Sequence, residues 1–435
     1  MAEDGASYWR QNLLIIWISQ FLTLMGFSFS LPFSPFYIRD VLGVSADAQI
    51  KMYAALATAC ASLSLAVMSP LWGILADRYG RKPMLLRANF AGSIIVALMG
   101  MAPNVSTFIT LRMLQGLFTG TTTAAMTLIA CGTPRNRQGL ALGALSAAVY
   151  SGDMTGQFIG GLLVEWCGYR QAFFYSGLAS GFSGLLVLLL VRETFQRPQP
   201  VVKTSKGARD WDSTLSLLQS CLPLYALLLL SAFARSIDGS QFALFVEFLN
   251  GGPTVAGAAS WTGRAAAAGC LGAMLAGLLI GRLLDRFRPS RVARSAALGA
   301  TLAMFSIAII PVHMRGMERV ALDIGAFGLH FRDMAAPAVL ALIPLRFLMI
   351  FCSAGLEPVM NVWLSKITPA SQKGIVFGFA VTARSGGWIF GPLAGGTISV
   401  LWGVKAIYII GPFFFLALVP MIGWVLRKIG SRLES

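Results

Sequence analysis

Twelve apolar runs of 19 to 31 residues alternate along this 435-residue chain with short polar connections. They cover 12–38, 52–76, 84–102, 107–131, 139–164, 171–191, 219–249, 258–284, 293–313, 337–364, 374–399 and 405–426. A helix needs about 20 apolar residues to cross the hydrocarbon core of a bilayer. In lipid, every backbone N–H and C=O must be satisfied inside the protein, so runs of this length fold as spanning helices. Composition agrees. Hydrophobic residues make up 56% of the chain and charged residues 12%, about half the soluble norm of roughly 25%. Mean hydropathy is +0.71. These values exclude a soluble globular enzyme, a disordered chain and a fibrous protein. They also exclude an outer-membrane barrel, whose strands alternate apolar and polar residues.

The net charge of +16 is not a nucleic-acid surface, because the basic residues sit in the short connections between runs. With both termini on one side, 21 of the 34 Lys and Arg residues fall on that side, 7 on the other and 6 within spans. The positive-inside rule then makes the termini of this multi-pass chain cytoplasmic. The first run is too long for a cleaved signal peptide. The six cysteines have no CxxC spacing and read as free, packed thiols. Only His313 and His330 are present, so neither a metal nor a cofactor is expected. The longest connection, 192–218, contains Pro198 and Pro200. It reads as a cytoplasmic linker between an N-terminal six-helix bundle, 1–191, and a C-terminal one, 219–435.

The two halves repeat. Asp77-Arg78 recurs as Asp285-Arg286, 208 residues on, and Leu111-Arg112 as Leu345-Arg346, 234 residues on. Gly152, Gly156, Gly160 and Gly161 recur as Gly387, Gly391, Gly395 and Gly396 at an offset of 235. The jump in offset predicts an insertion near 314–336. Parallel repeats are a plan of secondary transporters, with the substrate site where the halves meet.

At the end of the second run the chain reads Gly73-Ile74-Leu75-Ala76-Asp77-Arg78-Tyr79-Gly80-Arg81-Lys82. Gly80 permits a tight turn between antiparallel helices. This resembles the signature GxLaDrxGrkxx of the major facilitator superfamily, and Asp285 and Arg286 lie in a weaker second copy. The resemblance implies an all-α integral membrane fold of twelve transmembrane helices in two six-helix bundles. It gives Gly73, Asp77, Arg78, Gly80 and Arg81 a role in switching conformation rather than in binding substrate. Leu111-Arg112-Met113-Leu114-Gln115-Gly116 is similar to the family's fourth-span motif, whose arginine is tied to proton coupling. The competing reading of Arg112 is an arginine bonded to loops near a membrane face.

The fifth run, Gly152 to Gly161, resembles the gxxxGPxxGGxl motif of the drug:proton antiporters, with Gln157 in place of the proline. The eleventh run keeps the whole pattern through Gly387, Gly391, Pro392, Gly395 and Gly396. Glycines so spaced form a face for close helix packing.

A charge at mid-bilayer costs about 2.5–3.5 kcal/mol on insertion scales. Three acids nevertheless fall well inside spans: Asp153, Asp238 and Glu357. Arg235 and Asp238 are three residues apart and are expected to pair on one helix face. Gly239 and Ser240 should break the helix beside them, next to Gln241. Glu357 reads as a lone buried carboxylate suited to carrying a proton. Asp153 is expected to bridge to a basic group of the other half. Arg346 and Arg384 are candidates for an anionic substrate or a carboxylate partner. Met317, Val320, Ala321 and Ile324 recur at helical spacing, so the outer loop 314–336 reads as an interfacial helix or an ordinary loop.

Together these imply a secondary transporter of small amphipathic molecules, working as a monomer by alternating access and coupled to protons, as in drug efflux. A carrier of one defined metabolite, such as a siderophore, organic acid or sugar derivative, is the alternative. No Walker A, HExxH or GxSxG segment points to an ATP-driven pump or an enzyme.

Overall fold

The computed structural model describes residues 9–134, 137–192, 211–253, 257–310, 320–324, 329–368 and 373–429. The chain is built of helices α1 (Trp9–Ser30), α2 (Ser34–Asp40), α3 (Asp47–Tyr79), α4 (Arg81–Met99), α5 (Val105–Phe118), α6 (Thr121–Gly132), α7 (Gln138–Cys167) and α8 (Tyr169–Leu190) in its first half. The second half contains α9 (Trp211–Ser236), α10 (Phe242–Leu249), α11 (Ala258–Arg286), α12 (Pro289–Ile309), α13 (Pro337–Ala354), α14 (Leu356–Ile367), α15 (Lys373–Trp402) and α16 (Ala406–Ile429). Pairing α1 with α2, α5 with α6, α9 with α10 and α13 with α14 gives twelve spans over the described residues. Eight spans are long and apolar enough to cross a bilayer by length and hydropathy over those residues. The linker residues 193–210 lie outside the described residues, and α9 reaches back to Trp211.

The four broken spans are the first, fourth, seventh and tenth, so every third span is interrupted. Each break has a local cause. Pro32 and Pro35 interrupt the first span with a short 3-10 turn at Leu31–Phe33. Gly120, at φ +107°, breaks the fourth. The seventh stops at Ser236 and restarts at Phe242, the polar interruption expected around Gly239 and Ser240. The tenth breaks at Gly355.

Packing repeats with the sequence. Helix α1 lies along α7 as α9 lies along α15; α3 along α5 as α11 along α13; α4 along α8 as α12 along α16. The halves join through α7 with α11 and α15 with α3. The glycine motifs explain both kinds of contact. A Cβ on Gly152, Gly156 or Gly160 would press on the backbone of Phe21, Met25 or Phe29 of α1. A Cβ on Gly387 or Gly395 would press on the backbone of α9 or of Ile237 just beyond it, and one on Gly391 would meet Ser236 and the Phe233 carbonyl. The fourth glycine crosses over: Gly161 meets Ala259 and Ser260 of α11, and Gly396 meets Ala55 of α3. Three glycines of each motif thus bind a helix to its own half, and the last binds the halves together. Pro392 lies within α15.

The outer loop differs from the helical expectation. Residues 320–324 and 329–335 form an antiparallel two-stranded hairpin, with Val320 opposite Ala335 and Ile324 opposite Leu329. Val320, Ala321 and Ile324 are therefore strand residues. Met317 and His313 lie outside the described residues, and so do the side chains of the hairpin.

Candidate functional site

The face of the molecule that carries Trp9 and Ile429 is called here the near face, and its opposite the far face. The far face is closed. At the end of α2, Arg39 Nη1 donates to both oxygens of Glu247 in α10, at 2.8 and 2.7 Å. Glu165 at the end of α7 accepts from the Ser260 amide at 3.0 Å, in the first turn of α11. Lys51 in the first turn of α3 donates to the Ser399 carbonyl at 3.3 Å, in the last turn of α15. An acid at a helix N-terminus and a lysine at a C-terminus both complement the helix dipole. Gln241 donates to the Lys51 carbonyl at 2.9 Å, so it belongs to this closure. The near face is open by comparison. A Cβ on Gly143, Gly277 or Gly378 would meet no heavy atom within 4 Å.

A cavity of about 670 Å³ lies between the halves, and one of about 420 Å³ lies on its near-face side. Tyr150, Ala273, Glu357 and Arg384 line both. Such a volume suits a drug-sized ligand. Gly143 and Gly277 line the second, so the path opens toward the near face.

Glu357 sits at the centre of this common wall. Arg235 Nη1 donates to its Oε2 at 3.1 Å, and Arg384 Nη1 lies 2.5 Å from its Oε1. The expected lone carboxylate is instead held between two cations from α9 and α15. The expected Arg235–Asp238 pair is also absent, because the helix ends between them at Ser236 and the two side chains diverge. Asp238 pairs with Arg346 and accepts from the Tyr408 hydroxyl at 3.1 Å. The Arg346 guanidinium lies 4.1 Å from the centre of the Phe242 ring. Exposure separates the two acids: the Glu357 side chain is 27% exposed and that of Asp238 is 2%. Of these two, Glu357 is the one open to exchange with water and ligand in this state.

Asp153 meets no basic group among the described residues. Its partners are the hydroxyl of Ser28 and, from the other half, the thiol of Cys270, which donates at 3.2 Å. The adjoining wall presents Cys270 and Gly269 of α11, and the Arg346 side chain passes beside Gly269 without bonding Asp153. Arg112 lines the central cavity and donates to Gln115 at 2.7 Å. It has no carboxylate partner among the described residues.

The signature loop lies at the near face. Gly80, at φ +102°, makes the tight turn between α3 and α4. Arg78 and Arg286 are exposed, and Arg81 lines a small crevice with Trp72 and Arg87. Lys82 caps α8 by donating to the carbonyls of Leu188 and Val191 at 2.9 and 2.6 Å. The side chains of Asp77 and Asp285, and the surroundings of Gly73, lie outside the described residues.

Tyr408, Cys270, Lys51 and the Arg39–Glu247 pair escape a reading for charges within spans. Tyr408 carried a signal: the repeat offset of 235 sets it against Phe173, so a hydroxyl has been added where the first half is apolar.

Two repeated bundles, closed at one face around a central cavity of apolar and charged side chains and open at the other, define a secondary transporter of the alternating-access class. The profile of the Major Facilitator Superfamily matches residues 16–317 and 320–433, and the chain belongs to that family. It is 32% identical over 431 residues to the multidrug resistance protein MdtG of Enterobacter lignolyticus, covering 99% of this chain and 96% of that protein. It is 31% identical to MdtG of Klebsiella pneumoniae, covering 94% of this chain and 92% of that one. Among solved structures, the nucleoside transporter NupG superposes with a TM-score of 0.74 at 13% identity, over 95% of this chain and 99% of that one. A bacterial homologue of the lysosomal transporter Spinster, inward-facing and occupied, gives 0.73 at 15% identity, over 97% of this chain and 98% of that one. The last two likenesses speak for the fold alone.

Proposed function

We propose that this chain exports small amphipathic molecules, including drugs, in exchange for protons, as a monomer in a bacterial inner membrane. The near face is then cytoplasmic, and the structure is the inward-open state. The observation that carries the reading is Glu357, a water-accessible carboxylate on the shared wall of both cavities, held by Arg235 and Arg384. A proton on Glu357 cancels the charge that holds the two arginines, so proton and substrate binding reorganise the same cluster. Asp153 is the second proton site, because it faces the cavity across the half interface. Asp238 braces the break in the seventh span. The likeness to MdtG supports drugs as cargo. The signature loop, with Asp77 and Arg81, latches the near face when it closes.

The four arginines lining the cavity, Arg112, Arg235, Arg346 and Arg384, favour a second reading. In it, the cargo is one defined metabolite with an acidic group.

The test is the full chain in vesicles with an imposed proton gradient and a pH dye inside. Ethidium, chloramphenicol and laurate sample cationic, neutral and anionic amphiphiles. Drug-triggered proton movement is expected, and Glu357→Gln should reduce it at least tenfold. A Glu357→Gln variant that keeps the wild-type response overturns the assignment of Glu357. A response to laurate alone favours the metabolite reading.

A further inference from the structure

Position 157 is where the fifth span departs from the glycine-proline pattern that the eleventh span keeps. The repeat offset places Gln157 opposite Pro392, and Asp153 opposite Trp388. The second half therefore has neither a side-chain amide nor a carboxylate at these two places. In the first half both are used. Gln157 Nε2 donates to the sulfur of Cys270 at 3.1 Å. The Cys270 thiol donates to Asp153 Oδ2 at 3.2 Å, and the Ser28 hydroxyl donates to Oδ1. Cys270 lies 12 residues inside α11 from Ala258, about 18 Å along the axis. The polar side-chain contacts between the halves at Arg39, Lys51, Glu165 and Gln241 belong to the far-face closure. The seam is the deep one.

We infer that Gln157 and Cys270 are positioning residues for Asp153. They form a hydrogen-bonded seam that ties its charge state to the contact between the halves. The inference rests on the reading of Asp153 as a proton site. Gln157 occupies the sulfur's acceptor side, so the thiol proton is left to point at the carboxylate. An ionised Asp153 accepts from both Ser28 and Cys270. When the carboxyl takes a proton it must itself donate, and the bond to α11 weakens. Proton uptake thus loosens the middle of the α7–α11 interface, across which the halves must rock. The other charged or titratable groups sharing the cavity are Tyr150, Arg112, Arg235, Arg346, Glu357 and Arg384. None of them bonds Asp153, whose partners among the described residues are the thiol and the Ser28 hydroxyl.

Two measurements on the reconstituted full chain test this. The first is the rate at which N-ethylmaleimide labels Cys270, read peptide by peptide by mass spectrometry, with no substrate present. In the wild type the Asp153 carboxylate holds the thiol proton in a hydrogen bond. Asp153→Asn should therefore speed labelling severalfold. Equal rates in Asp153→Asn and wild type overturn the seam. The second is the pH at which proton movement, triggered by the most active of the three test compounds, is half-maximal. Cys270→Ala should raise that pH by about one unit, because a hydrogen bond to a charged group is lost. Cys270→Ser keeps a donor and should restore it. Gln157→Leu should raise it by less than Cys270→Ala does. An unchanged profile in Cys270→Ala beside a changed one in Asp153→Asn overturns the positioning role alone. A profile that Asp153→Asn also leaves unchanged removes Asp153 as a proton site, and the inference with it.

Discussion

The two bundles share a scaffold but are held together by different chemistry. In the first, α1 is joined to α4 and α8 by neutral hydroxyls and an amide. Ser19 and Thr23 bond Ser183 at 2.7 and 2.6 Å, Thr23 bonds Asn89 at 3.1 Å, and Ser30 bonds Ser176 at 2.9 Å. In the second, α12 packs through Ala293, Ala296, Ala297, Ala300 and Ala303, all buried. The repeat offset of 208 sets Asp238 where the first half has Ser30. One ion pair, Asp238 with Arg346, stands where the first half has a hydroxyl pair. The matching arginine of the first half, Arg112, is left with Gln115. A repeated backbone thus fixes where polar groups fall between helices, without fixing whether they are charged. Charge in one half and its absence in the other gives the cavity its asymmetry.

The largest effect tests that difference directly. Removing one partner of a buried ion pair strands the other and costs about 3–5 kcal/mol. Arg346→Met should lower thermal stability in detergent by that order. Arg112→Met, which strands no carboxylate among the described residues, should cost well under half as much. Equal losses would mean that the two arginines are held alike and that the comparison is wrong. Ser183→Ala should cost about 1 kcal/mol, within the range found for interhelical hydrogen bonds in membranes.

Next comes the pair of glycine motifs, where the halves should behave alike. Adding a methyl to a packed interface costs about 1–3 kcal/mol. A Cβ on Gly395 would overlap the Ile237 carbonyl, and one on Gly160 would lie 2.6 Å from Phe29 backbone atoms. Both alanine variants should lose stability, Gly395→Ala the more. A neutral result at either position would separate the two motifs.

Which parts were legible follows from the range of the forces involved. Span count, the repeat and the break at Gly239 and Ser240 depend on residues close in sequence, whereas the breaks at Gly120 and Gly355 emerge only in the structure. The former survive as the structure has them. Pairing across helices does not. Arg235 and Asp238 are three apart and would meet on a continuous helix. The break beside them, itself legible, turns them to different partners 122 and 108 residues away. Glu357 looked solitary because its two arginines lie on α9 and α15. The hairpin at 320–335 was misread because its apolar spacing also fits a helix, and short patterns of this kind do not separate the two periods.

The far-face closure is weaker, because its main ion pair is partly exposed. The Arg39 side chain is 25% exposed, and solvent screening reduces such a pair to about 1 kcal/mol. Arg39→Ala should therefore shift the balance of states toward far-face opening by roughly fivefold. Accessibility of a cysteine placed at position 258 to a membrane-impermeant reagent measures this. No change would place the closure in the Glu165 and Lys51 helix-end contacts instead.

The smallest effect on stability should carry the most information about motion. Gly143 and Gly378 are matched by the repeat, and a Cβ on either meets nothing within 4 Å. Alanine at these positions should leave thermal stability within about 0.5 kcal/mol, as at unpacked surface sites. Yet each lies on the same helix as a motif whose glycines are pressed against neighbouring helices. If the near face closes as the far face has closed, Gly143 and Gly378 must come into contact as Gly161 and Gly396 already have. Gly143→Ala and Gly378→Ala should then slow transport several-fold with the melting temperature unchanged. Full activity in both would mean that closure brings other surfaces together, and that the symmetry between the near and far faces stops short of these glycines.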